Sequence, residues 1–246
     1  MLSKTYTKYI QSLHHKKFRD ANNCFIAEGD KVVAELLASG KFQCEQLLGK
    51  EEWLKEKEQQ IRNHYKGPIQ VLADFELDKI SMLSTPNQVL AIFKKAAYED
   101  PVVKGKLTLV LDMIQDPGNL GTIIRIADWF GIPDIVCSIN CVELYNPKVV
   151  QSTMGSLGRV NVVYENIVNW LHQHSDTRSI AAALNGRSVK SFAGVKEAIL
   201  VIGNESKGIS TEILEMADEK ITIPKIGGAE SLNAAVATGI ILSHIV

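Results

Sequence analysis

At 246 residues, with 46% hydrophobic and 22% charged side chains, the chain has the make-up of a globular protein built as one large domain or a small one beside a medium one. Its formal net charge of −1 excludes overall charge as the means of holding a polyanion, so a nucleic-acid partner would need a local basic face. Four scattered cysteines, no apolar signal-peptide core and no apolar run longer than 232–246 lead to an expectation of reduced thiols, no membrane span and a cytoplasmic setting.

In chain order, residues 3–13 read as a helix. Residues 1–19 hold Lys4, Lys8, Lys16, Lys17 and Arg19 without one acid, and His14 and His15 lie among them. Such a cluster suits phosphate contacts, with Lys16, Lys17 and Arg19 the best candidates, although charge alone favours a solvated surface segment. Residues 24–27 are a short apolar run, 30–39 helical, 44–48 a strand and 50–65 a charged helix. Then come a strand over 69–72, a helix over 75–83 and a strand over 89–93. These make a small α/β unit over 1–95. Tyr98-Glu99-Asp100-Pro101 and Gly105 break the pattern and mark a linker over 96–106.

The second unit, 107–246, opens with the almost wholly apolar 107–111. Runs at 134–137, 161–163, 179–184, 198–202 and 220–223 follow, most of them separated by helical stretches. Strands apolar on both faces belong to a parallel sheet covered on both sides, and ligands of such sheets bind beyond the carboxyl ends of the strands. Three loops sit there. Asp116-Pro117-Gly118-Asn119-Leu120-Gly121 follows 107–111 and enters a helix with the apolar stripe Leu120, Ile123, Ile124, Ala127 and Phe130. Arg125 lies off the stripe, with Trp129 one turn later. An arginine there suits an anionic ligand; it also reads as a solvated helix arginine behind an Asn119 cap. Gly203-Asn204-Glu205-Ser206-Lys207-Gly208 follows 198–202. It lacks the Lys-Ser/Thr of a phosphate-binding P-loop, and its two glycines suggest backbone that a ligand approaches closely. After 220–223, Pro224 and Gly227-Gly228 lead to Ser231-Leu232-Asn233, where Ser231 could cap the last helix. Asn233 would stand inside that helix, a costly place unless its amide finds partners.

The six histidines lie outside these loops, so no Ser/His/Asp triad emerges. Cys137 and Cys141 lack CxxC spacing and a neighbouring histidine, so no metal is expected. The residues alone favour a small-ligand or transferase site.

Taken together, the three loops resemble the motif set of the SpoU (TrmH-type) family of RNA 2′-O-ribose methyltransferases. Asn119-x-Gly121-x3-Arg125-x-Ala127-x2-Phe130-Gly131 resembles its first motif, Gly203-x-Glu205-x2-Gly208 its second, and Ile223-Pro224 with Ser231-Leu232-Asn233 and Ala237 its third. Ser152-Thr153-Met154-Gly155-Ser156 is similar to the stretch common between the first two. Lys16 to Arg19, Phe25, Glu28-Gly29 and Ser84-Thr85-Pro86 ahead of Gln88 resemble the family's small substrate-binding domain, with Val89 where a glycine often stands. The resemblance implies an α/β, SPOUT-type C-terminal domain with a trefoil knot, S-adenosylmethionine as cofactor, a homodimer, and rRNA or tRNA as substrate. It implies cofactor contacts at Gly203, Ile223 and Leu232 and a catalytic surface of Asn119, Arg125, Glu205, Ser231 and Asn233. An RNA-binding protein without catalysis, on the same scaffold, is the competing reading.

Overall fold

The computed structural model describes residues 1–246. The first elements are α1 (Lys4–Ser12), α2 (Lys16–Asn22), β1 (Cys24–Glu28), α3 (Asp30–Ser39), β2 (Cys44–Lys50), α4 (Glu51–Glu56), α5 (Glu58–His64), β3 (Ile69–Leu72), α6 (Asp74–Ile80) and β4 (Val89–Lys94). Next come β5 (Leu107–Leu111), α7 (Pro117–Trp129), β6 (Asp134–Ser138), α8 (Pro147–Ser152), β7 (Asn161–Glu165) and α9 (Ile167–Gln173). The chain ends with β8 (Ser179–Ser188), β9 (Ala198–Ile202), α10 (Thr211–Met216), β10 (Glu219–Thr222) and α11 (Ala234–Ile245). It divides into two compact units, one of Met1–Ala97 with Glu143–Arg159, the other of Tyr98–Val142 with Val160–Val246.

The first unit is built on a four-stranded mixed sheet in the order β1-β4-β2-β3, with only the β2–β3 pair parallel. Ile10, Leu13, Ile26, Leu48, Leu77 and Leu90 lead its apolar core. Strand β1 stands at the sheet edge, yet all five of its residues are buried, because α8 packs on it. The Tyr145 ring, just ahead of α8, lies 4.7 Å from that of Phe25 and 6.3 Å from that of Phe42. Such a covered edge cannot recruit a stray strand. The segment Glu143–Arg159, sequentially in the C-terminal half, thus completes the N-terminal core, a grouping that a linear division at 96–106 does not contain.

Arg19 departs from the expectation of a phosphate contact. It is 2% exposed. Its Nη1 donates to the carbonyls of Leu13 and His14 at 3.0 and 2.8 Å, and its Nη2 pairs with Glu143. The helix α2 that carries it lacks an apolar stripe in KKFRDAN, so periodicity gave no signal for it. Lys16 is exposed and bonded to Asp20, whose carboxyl is pulled down to about 2 by hydrogen bonds from Lys95 and Lys16. Lys17 is exposed, and Phe18 is partly so.

The second unit is a six-stranded, all-parallel sheet in the order β10-β8-β9-β5-β6-β7. All five residues of each of β5, β6 and β9 are buried, as near-continuous apolar runs in a parallel sheet require. Val110, Val136, Val163, Ala181 and Val201 share one face with Ile167, Trp170 and Leu171 of α9 and Ile213 of α10. Helices α7 and α11 pack against each other. No helix is long and apolar enough to cross a membrane.

Candidate active site

Strand β5 delivers the first loop to the carboxyl edge of the sheet. There Asp116, not Asn119, caps α7: its carboxylate accepts from the Asn119 backbone N–H at 2.8 Å, and Pro117 takes the first helical position. The Asn119 amide is therefore free to reach outward. Its Nδ2 donates to the Glu205 carboxylate, and its Oδ1 accepts from Asn233 Nδ2 at 2.8 Å. The Arg125 side chain, on the same helix, is exposed and makes no hydrogen bond or ion pair within the chain. Trp129 follows one turn later, 84% exposed.

The second loop is a tight hairpin. Asn204 N–H donates to Gly208 O at 3.0 Å and Gly208 N–H to Asn204 O at 2.9 Å. A Cβ on Gly203 would stand 2.3 Å from the Gly208 carbonyl carbon, so the backbone that crowds this glycine is that of its own loop. Gly208 itself has φ of 69°, which favours glycine. The hairpin carries Glu205 to Asn119. Two side chains clip it to the first loop: Asp112, buried, accepts from Ser210 N–H at 2.8 Å, and Asn204 Nδ2 donates to Met113 O at 2.9 Å.

The third loop ends where α11 begins, and here the expected order is reversed. Asn233 does not sit inside the helix; it is the cap, its Oδ1 accepting from Ala235 and Val236 N–H at 3.0 and 3.2 Å. Ser231 is exposed and caps nothing. The three loops are thus joined by one chain of side-chain bonds, Glu205–Asn119–Asn233. Arg125 and Ser231 take no part in it.

Of the residues expected to hold a cofactor, Gly203 and Ile223 stand at the ends of β9 and β10, and Leu232, 46% exposed, precedes the Asn233 cap. Residues 224–232 form no hydrogen bond within the chain, and a Cβ on Gly227 or Gly228 would meet open space. A loop with unpaired backbone donors and acceptors, beside the exposed apolar Ile226 and Leu232, fits a ligand with a hydrogen-bonding heterocycle and apolar faces, as S-adenosylmethionine has. No three His, Cys, Asp or Glu side chains converge as a metal site would need.

The sequence reading missed a neighbour of this loop. Strand β8 runs on to Ser188, and residues 182–186 fall out of register with β10, whose Lys220 pairs with Ala181 and Ile221 with Arg187. Thr222 Oγ1 donates to Leu184 O at 3.2 Å, so this bulge lies against the start of the third loop. Gly186, where a Cβ would be 2.5 Å from the Lys220 carbonyl carbon, was the available signal.

The model of the SpoU rRNA Methylase family matches residues 106–243, and that of the MRM3-like substrate binding domain matches residues 4–91. The 23S rRNA (guanosine(2553)-2'-O)-methyltransferase RlmP of Bacillus subtilis is 30% identical over 240 residues, 96% of this chain and 93% of that protein. A solved TrmH-family structure from Porphyromonas gingivalis has a TM-score of 0.87 at 36% identity, covering 99% of this chain and 98% of that one. The AdoMet-bound rRNA methyltransferase from Sinorhizobium meliloti has a TM-score of 0.86 at 29% identity, covering 100% and 96% respectively.

Proposed function

The chain belongs to the SpoU rRNA Methylase family, and on that premise we propose that it transfers a methyl group from S-adenosylmethionine to a ribose 2′-hydroxyl of ribosomal RNA. The observation that carries the reading is the bonded chain Glu205–Asn119–Asn233, which gathers one residue from each family motif at one end of a parallel sheet. The AdoMet-bound relative supports the cofactor, and the 23S rRNA enzyme supports rRNA over tRNA.

Gly203, Ile223 and Leu232, with the unpaired backbone of 224–232, would hold the cofactor. When bound, it supplies a sulfonium-activated methyl group. The protein's remaining task is to bring the 2′-oxygen in line and favour loss of its proton. Asn119, held from both sides, fixes the Glu205 carboxylate. Arg125 offers an unpaired guanidinium to the target's phosphate and to the negative charge that grows on the 2′-oxygen. A guanidinium donates hydrogen bonds and has no acceptor for the proton, which leaves to water. Ser231, two residues before Asn233, is exposed and would face the RNA.

We further propose that residues 1–95 act as the RNA-binding domain, joined by the linker 96–106 to the methyltransferase domain 107–246. Lys16 and Lys17 would meet phosphates there. A trefoil knot is supported by the course of the chain, which leaves edge strand β10 and returns to pack α11 on α7, after β9 has entered between β5 and β8. A cytoplasmic homodimer is proposed, its subunits meeting through α7 and α11, which leave Trp129, Val236 and Val246 exposed. The test of the function is transfer of labelled methyl from S-adenosylmethionine to rRNA taken from cells that lack this protein. Transfer that is resistant to chelators and lost in Arg125→Ala supports it; no transfer to any rRNA fraction refutes it.

A further inference from the structure

Met113 has φ of 57°, a left-handed conformation that a methionine takes only when its surroundings impose it. Both of its peptide groups are held by side chains from other loops. Its N–H donates to Ser138 Oγ at 2.9 Å, from the end of β6, and its carbonyl accepts from Asn204 Nδ2 at 2.9 Å, from the second loop. The next N–H, of Ile114, points at Cys141 Sγ at 3.2 Å. Asn204 uses its other amide atom at home, where Oδ1 accepts from Ser206 and Lys207 N–H at 2.9 and 3.1 Å. One side chain therefore shapes the hairpin that carries Glu205 and grips the loop that leads into α7 and Asn119.

We propose that Asn204 is a positioning residue for methyl transfer: with Ser138 it clamps Met113, and through that clamp it sets where the Asn119 amide meets the Glu205 carboxylate. Asp112, clipped to Ser210, holds the hairpin's base, so Asn204 governs its head. The inference rests on the methyltransferase reading of this site. Asn204 touches neither Asn119 nor Glu205 through its side chain; its effect is on their mutual geometry, to which the chemical step is sensitive and RNA docking is not.

The experiment is a double-mutant cycle on the full chain, with rRNA from cells lacking the protein and S-adenosylmethionine as substrates. Asn204→Asp keeps an acceptor for Ser206 and Lys207 and replaces only the donor facing Met113. Ser138→Ala removes the opposite grip. Each single change should lower kcat about tenfold or more, because it frees one side of the part-buried Met113 clamp, with the KM for rRNA within about threefold. Because both act on Met113, the losses should not multiply in the double variant. Should Asn204→Asp not fold, Asn204→Ser, which has no amide donor, takes its place. Activity of the wild type with a kcat for Asn204→Asp within twofold of it would overturn the proposal and leave the function standing, as would losses that multiply fully. An inactive wild type would instead refute the functional reading beneath it.

Discussion

Asn233 serves two ends that substitutions can separate. Its Oδ1 caps α11 through Ala235 and Val236, and its Nδ2 bonds Asn119. Asn233→Ala removes both. Loss of an asparagine cap costs about 1 kcal/mol, which in a chain of this size lowers Tm by roughly 2–4 °C. Asn233→Asp keeps the cap, and its charge suits the positive end of the helix. It cannot donate to Asn119, however. To satisfy the new carboxylate the Asn119 amide must turn its NH2 toward residue 233, which leaves the Glu205 carboxylate without its partner. The rate should therefore fall about tenfold or more in both variants, while Tm falls only in the alanine one. Thermal unfolding and methyl transfer on the same samples make the measurement. A fully active Asn233→Asp, or an Asn233→Ala that melts with the wild type, would refute the assignment of amide or cap respectively.

Arg125→Ala should lower methyl transfer by on the order of 100-fold and change stability by less than about 0.5 kcal/mol, since Arg125 is exposed and unpaired; rate and denaturant midpoint are the readouts. Arg19→Ala should do the reverse. It leaves Glu143 and two carbonyls with a lost partner, at a cost of about 3 kcal/mol, readable by urea unfolding, and a stability near wild type would contradict the buried pairing. Joint substitution of Lys16 and Lys17 by alanine should flatten the salt dependence of RNA binding by about two units of slope without changing affinity for S-adenosylmethionine. An unchanged slope would place the RNA elsewhere on the protein.

Strands β5, β6 and β9 of the C-terminal sheet were legible because each is a short apolar run, and the parallel arrangement followed from their two-sided burial. The loops that carry the site were legible for the same reason, since they follow those runs. What stayed hidden is set by contacts distant in sequence. Pro117 at the first helical position was a local signal that Asp116 rather than Asn119 caps α7, but nothing local tells that Asn233 rather than Ser231 caps α11, because Asn and Ser are both good caps. Arg19 sits in a run of cations and looks solvated; only Glu143, 124 residues on, reveals it as buried. Likewise Tyr145 and α8 lie within 107–246 in sequence, and only Phe25 and β1 beneath them reveal that they complete the N-terminal core.

The most direct test of the central claim is to incubate the protein with S-adenosylmethionine bearing a deuterated methyl group and rRNA from cells that lack it, then digest the RNA to nucleosides for mass spectrometry. The account predicts deuterated methyl on the ribose of one nucleoside, formed on the order of 100-fold more slowly when Arg125→Ala replaces the wild type. Deuterated methyl found on a base, or in no nucleoside at all, would contradict it.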